Sequence, residues 1–154
     1  MGRVTAPTAV RARRMIAGDV ERVAELEHAS FTSPWKADTF EALLDRPGAE
    51  LWVLDHETDG VIGYFVLWCI LDQGELANIA ILEVHRGKGY GAFLLQHVVD
   101  VARERGVEAL YLEVRVSNTA AAKLYQAFGF TKVGMRKKYY DHPVEDGLVM
   151  MLKV

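Results

Sequence analysis

Leu76-Ala77-Asn78-Ile79-Ala80-Ile81-Leu82, Glu83-Val84-His85, Arg86-Gly87-Lys88-Gly89-Tyr90-Gly91 and the run from Ala92 to Arg105 decide how this chain folds. The first run is short and apolar and is bounded by Gly74 and a polar turn, which reads as a buried strand. After the glycines, Leu94, Val98 and Val101 alternate with Leu95, Val99 and Ala102 at helical spacing, which reads as an amphipathic helix. A glycine-rich turn feeding a helix start leaves backbone N–H groups unpaired, and the helix dipole adds positive potential. Such a place suits phosphate oxygens.

The spacing narrows the ligand. A nucleotide P-loop needs Ser or Thr after its lysine, and Gly89 follows Lys88. A dinucleotide fingerprint needs Gly-x-Gly-x-x-Gly after the first strand, whereas these glycines stand at 87, 89 and 91, in mid-chain. A plain glycine-rich turn without a ligand remains open on the hexapeptide alone.

Working outward, Val10 to Met15 reads as a strand. Asp19 opens a helix to Ala29, Phe31-Thr32-Ser33-Pro34-Trp35 interrupts it, and a second helix covers 37–45. Leu51 to Leu54 and Val61 to Leu71 form a hairpin about Glu57-Thr58-Asp59-Gly60. Beyond the long helix, Ala109 to Val114 is a strand with Leu110, Leu112 and Val114 on one face and Tyr111, Glu113 and Arg115 on the other. Ser117-Asn118 caps a short helix presenting Ala121, Leu124, Tyr125 and Phe128. Phe130 to Val133 and Leu148 to Leu152 are the last strands. The order is β-α-α-β-β-β-α-β-α-β-β, a mixed α/β sheet with helices on it.

The 154 residues make one domain, expected over 9–154 behind a flexible tail at 1–8. A net charge of −3 gives no basis for a nucleic-acid or anionic-membrane surface. Arg11-Arg13-Arg14 reads as solvated strand charge. No signal peptide or membrane-length apolar run is visible, so the expectation is a cytoplasmic protein. Cys69, the single cysteine, lies in an apolar run and reads as a buried, inert thiol. Three serines in no nucleophile elbow, and five histidines without ligand spacing, predict neither a nucleophilic nor a metal mechanism.

Phe31-x-x-Pro34-Trp35, Glu75 to Ile81, the loop Arg86-x-x-Gly89-x-Gly91, Leu112-Glu113-Val114-Arg115-x-Ser117-Asn118, Leu124-Tyr125-x-x-Phe128-Gly129-Phe130 and Tyr139-Tyr140 before Glu145-Asp146 together resemble the GNAT N-acetyltransferases. Within them the resemblance is to the RimI-type N-terminal alanine acetyltransferases of ribosomal proteins. It implies the acyl-CoA N-acyltransferase fold, with a largely antiparallel sheet splayed between the fourth and fifth strands. It implies acetyl-CoA as donor and a protein N-terminus as acceptor, that of small-subunit ribosomal protein eighteen in bacterial members. A monomer is expected.

The resemblance also assigns residues. Ile79, Ala80 and Ile81 would offer backbone N–H groups to the acetyl carbonyl. Arg86, Gly87, Lys88, Gly89, Tyr90 and Gly91 would hold the pyrophosphate, and Asn118 the cofactor arm. Glu113 would be the general base and Tyr125 the general acid. Phe31, Pro34, Trp35, Tyr139 and Tyr140 would wall the acceptor slot. Plainer readings stand beside these: Glu113 as a strand carboxylate paired with Arg115, Tyr125 as core, the loop aromatics as packing, and Arg136-Lys137-Lys138 as solvated charge. Gly147 departs from the family, where alanine is common. Two rival functions share the fold, acetylation of a small amine and non-catalytic acyl-CoA binding.

Overall fold

The computed structural model of the chain describes residues 7–154. The expected tail falls mainly on residues 1–6, which lie outside the described residues. Among the described residues seven strands form one sheet: β1 (Val10–Arg14), β2 (Ala49–His56), β3 (Gly60–Ile70), β4 (Gln73–Ile81), β5 (Ala109–Arg115), β6 (Thr131–Tyr140) and β7 (Glu145–Lys153). Their spatial order is β1-β2-β3-β4-β5-β7-β6. Among the described residues four α-helices accompany them: α1 (Val20–Ser30), α2 (Ala37–Leu43), α3 (Tyr90–Glu104) and α4 (Thr119–Ala127). Every neighbouring pair of strands is antiparallel except β4 and β5.

Each face of the sheet is sealed by one helix pair, as the helical spacing of apolar residues requires. On one face Leu94, Leu95, Val98 and Ala102 of α3, with Tyr125 of α4, pack on Phe65, Leu67, Leu110 and Leu112. On the other, Val23 and Leu26 of α1 and Phe40 of α2 pack on Val53, Tyr64 and Val66. Cys69 is buried, and burial raises its thiol pKa, as expected for an inert cysteine.

The parallel pair β4–β5 is the feature that positions a site. Its register runs only from Gln73↔Ala109 to Leu76↔Leu112. At that point β4 carries an extra residue: Leu67 faces Leu76 and Val66 faces Asn78, so Ala77 is bulged out. A bulge bends its strand and ends local pairing. From Ala77 onward β4 stays with β3, β5 stays with β7, and a V-shaped opening separates them.

Two expectations need correcting. β6 does not stop at Val133 but runs to Tyr140, because Arg136 and Tyr140 still register against Gly147 and Glu145 of β7. Its continuation is irregular, with Lys138 at φ 51, which hides it from a period-two reading. Nor are Arg13 and Arg14 merely solvated. Arg13 bonds Asp19 at 2.8 Å and Asp55 at 3.1 Å, and Arg14 lies 3.1 Å from buried Glu50, which Arg105 also contacts. Among the described residues no helix is long and apolar enough to cross a membrane.

Candidate active site

The V-shaped opening exposes backbone groups of β4. Leu82 N–H donates to Ile62 at 2.7 Å, so alternate residues Ala80 and Asn78 face β3 as hydrogen-bonded pairs with Tyr64 and Val66. The same alternation aims the N–H groups of Ile79 and Ile81 into the gap, where β5 has already left the ladder. Two of the three expected oxyanion donors thus have the required direction. Ala80 does not, since its N–H is turned into the β3 ladder.

Below the gap the glycine loop opens α3. Gly87 and Gly89 hold φ of 79 and 83, a region costly for side chains, and Gly89 is the helix N-cap. A Cβ at either would meet no protein atom within 4 Å, so the loop presents bare backbone to open space. No side chain caps α3, and Phe93 N–H is the one that reaches back to Gly89 at 3.1 Å. The N–H groups of Tyr90, Gly91 and Ala92 precede the first helical bond and are available to an anion. Arg86 is exposed, and its Nε donates to the Ile81 carbonyl at 3.0 Å, tying the loop to the end of β4.

A strut beneath the loop escaped the sequence reading. His85 Nε2 lies 2.7 Å from Asp59 Oδ2, and the Lys88 ammonium lies 3.4 Å from His85 Nδ1. The His56 ring lies tilted against that of His85, with centroids 4.8 Å apart. The hydrogen bond from His85 holds the Asp59 carboxyl below the usual carboxylate range. The side-chain nitrogens and oxygens of His56, Asp59 and His85 approach within 4.8 Å; His56 and Asp59 share one turn, but β3 and β4 separate them from His85, so no spacing linked the three. His56 Nδ1 already accepts from Thr58 and Asp59 N–H, and cationic Lys88 stands beside His85. Both oppose a divalent cation, so the cluster reads as a hydrogen-bonded support for the loop.

On the α1–α2 face of β5, Glu113 pairs with Arg136 at 3.0 Å rather than with Arg115. The Glu113 carboxylate also acts on the Tyr139 hydroxyl, and the Arg136 guanidinium sits 5.2 Å from the Tyr139 ring centroid. Burial, and then the Glu113 charge, raise the Tyr139 hydroxyl. Tyr140 is pushed up to about 12, chiefly by burial, with Glu113, Tyr139 and Tyr125 adding to it and Arg115 opposing. These mutual influences bring Glu113, Tyr125, Tyr139 and Tyr140 to one locality. Tyr125 is buried, packs against Phe130 at 5.7 Å and is itself pushed up to about 12 by burial. Asn118 accepts the Ala121 N–H at 3.2 Å and caps α4, as its position predicts.

Arg115 does different work from that first assigned to it. It bonds Glu145 at 3.2 Å, the Asp141 carbonyl at 2.7 Å, the Pro143 carbonyl at 3.0 Å and the Thr32 hydroxyl at 3.1 Å, and it lies over the Tyr140 ring. One guanidinium therefore joins the α1–α2 loop to the β6–β7 turn. Those segments carry Phe31, Pro34 and Trp35 on one side and Tyr139 and Tyr140 on the other, with Phe31 and Tyr139 exposed. Composition gave no hint of this clamp, because its partners lie 26 to 83 residues away.

A mixed sheet opened between β4 and β5, bare amides in the gap, and a glycine loop at a helix start define a class of acyl-transferring enzymes. Residues 20–130 match the acetyltransferase (GNAT) family, and the chain belongs to it. A Bacillus subtilis protein, named provisionally as a [ribosomal protein bS18]-alanine N-acetyltransferase, is 40% identical over 96% of this chain and 97% of its own length. The Haemophilus ducreyi [ribosomal protein bS18]-alanine N-acetyltransferase is 37% identical over 84% and 86%. The crystal structure of the Escherichia coli ribosomal-protein-S18-alanine N-acetyltransferase superimposes with a TM-score of 0.86 at 28% identity, covering 94% of each chain.

Proposed function

We propose that this enzyme transfers the acetyl group of acetyl-CoA to the N-terminal amine of a ribosomal protein, alanine first, the acceptor being the one named for its relatives. The likeness across nearly the whole chain to [ribosomal protein bS18]-alanine N-acetyltransferases carries the acceptor. The donor rests on the glycine loop, whose empty Cβ positions and open first-turn N–H groups fit a pyrophosphate.

The amine and the thioester meet in the opening between β4 and β5. An α-amino group has a pKa of about 7.7–8.0, so near neutrality much of it is protonated and non-nucleophilic. Glu113, on the α1–α2 face, accepts that proton, and the amine attacks the thioester carbonyl. Negative charge then develops on the carbonyl oxygen, where the Ile79 and Ile81 N–H groups are already aimed. As the C–S bond breaks, the electron pair goes to sulfur, the Tyr125 hydroxyl supplies it with a proton, and the second proton shed by the new amide nitrogen restores the Tyr125 hydroxyl. An ordinary thiol, at about 8.5, would take a proton from a phenol near 12 only uphill. The same burial that raises Tyr125 penalises a thiolate beside it and narrows that gap.

Phe31, Pro34, Trp35, Tyr139 and Tyr140 wall the acceptor's approach, and Asn118, at the head of α4, would meet the cofactor arm. Purified enzyme with acetyl-CoA should acetylate an Ala-starting hexapeptide in strong preference to a panel of small amines. Selective turnover of the small amines would overturn the acceptor; binding of acetyl-CoA without turnover of any amine would overturn catalysis.

A further inference from the structure

Glu27, on α1, is 1% exposed, among the most buried polar residues of the fold. A carboxylate is costly in such a place unless donors surround it. Three neutral donors converge on it. The Tyr64 hydroxyl from β3 bonds Oε1, Asn78 Nδ2 from β4 bonds Oε1 at 2.7 Å, and the backbone N–H of Trp35 bonds Oε2 at 2.9 Å. The first two belong to the fixed centre of the sheet. The third belongs to the loop between α1 and α2, which is otherwise held at its far side by Thr32 against Arg115. Asn78 is the residue immediately beyond the Ala77 bulge, where β4 parts from β5. Trp35 in turn packs against Phe40 with ring centroids 5.6 Å apart.

From this geometry we infer that Glu27 is a positioning residue for the acceptor. Its carboxylate fixes the Phe31–Trp35 wall at a set distance from the mouth of the opening in the sheet. The inference rests on the proposed role of that wall as one side of the acceptor slot. An apolar residue would fill the space at lower cost, but it offers no acceptor to a loop N–H. The cofactor side is insulated, because the glycine loop and α3 lie on the opposite face of the sheet from α1. Loss of the carboxylate therefore acts on the acceptor and spares the donor.

Glu27→Gln keeps the shape but turns an N–H₂ group toward one of the three donors. With an Ala-starting hexapeptide, KM should rise roughly ten- to hundredfold, the range for a lost hydrogen bond to a charged group. The dissociation constant of CoA should stay within about twofold. Tyr64→Phe, which removes a donor but leaves the Trp35 bond, should lower Tm and leave KM near wild type. An unchanged KM in Glu27→Gln, or a parallel weakening of CoA, overturns the inference. Trp35→Ala separates this from failure of the slot: if it leaves KM unaltered, the wall itself is misassigned. Should Glu27→Gln not fold, hydrogen exchange of the wild-type Trp35 amide decides. Protection well above that of Thr32 and Ser33 supports the bond, and exchange as fast as theirs overturns it.

Discussion

Arg136 holds its guanidinium 3.0 Å from the Glu113 carboxylate, and the two differ sharply in exposure, 59% against 15%. A pair with one partner so open to water is worth only about 0–1 kcal/mol. An incoming α-ammonium, itself a cation, can replace Arg136 on Glu113 at that small cost. Arg136→Gln should therefore change kcat/KM for an N-terminal peptide by less than about fivefold. Glu113→Gln should lower kcat by about 10²–10⁴ while CoA affinity holds. Steady-state kinetics with both substrates varied would check this, and equal losses in the two variants would make Arg136 part of the chemistry rather than a displaceable cover.

Burial pushes the Tyr125 hydroxyl up to about 12. A group with so high a pKa keeps its proton throughout the accessible range. The wild-type rate should then show no alkaline decline attributable to Tyr125 below about pH 10–11. Tyr125→Phe keeps the ring against Phe130 and loses the proton, so kcat should fall at every pH with Tm little changed. A large fall in Tm with normal kcat would reduce Tyr125 to a core residue.

Much of this was legible in the chain because it is local. Strand, glycine turn and helix are contiguous from Leu76 to Arg105, and their periods and punctuation specify them without tertiary help. The alternation at Leu110 to Arg115 put Glu113 on its observed face. What escaped is non-local or irregular. The plainer reading paired Glu113 with Arg115, two residues away on the same face, but its partner lies across β7 on β6. Lys138 sits in left-handed backbone with its N–H taken by Asp146 at 2.8 Å, which breaks alternation and concealed the second half of β6. The bulge at Ala77 and the carboxylate of Glu27 have no sequence signature, since each is defined only by what crosses the sheet to meet it.

Gly89→Ala distinguishes a ligand-bearing loop from a structural turn. Its left-handed backbone costs a side chain about 1–2 kcal/mol. No protein atom lies within 4 Å of the added Cβ, so strain is the whole stability penalty. If pyrophosphate fills that space, CoA affinity should fall more than about tenfold, beyond what strain explains. Calorimetric titration with CoA and denaturant unfolding give the two numbers, and unchanged affinity would remove the loop from the cofactor site.

Asp19 sets an acid limit. Burial works to raise its pKa, but two bonds from Arg13 and one from the Ile16 N–H outweigh it, so the net shift is downward. A carboxyl lowered in the folded state contributes its full stability above the ordinary carboxylate pKa and loses it as pH falls through the lowered value. Asp19→Asn should cost about 1.5–3 kcal/mol at pH 7, and the difference from wild type should shrink towards pH 3 and below. Urea unfolding across that range would show it; a difference constant with pH would assign the loss to packing.

Gly147 bears on the proposed acceptor slot. It lies opposite Arg115 on one side and Arg136 on the other, at the start of β7. A Cβ there would stand 3.1 Å from Tyr139 Cδ2, 3.3 Å from Tyr139 Cβ and 3.3 Å from Tyr140 Cε2. Contacts that short require the neighbours to give by a few tenths of an ångström. Those neighbours are the two rings proposed to wall the slot, and they already meet each other with centroids 4.9 Å apart. The backbone of Gly147 is not in the left-handed region, so alanine carries no strain of its own. Gly147→Ala should therefore leave CoA affinity and Tm close to wild type while moving both tyrosines outward. KM for an Ala-starting peptide should change severalfold, with a different change for peptides that begin with a larger residue. Identical kinetics across a panel of first residues would mean that Tyr139 and Tyr140 do not read the acceptor's first side chain.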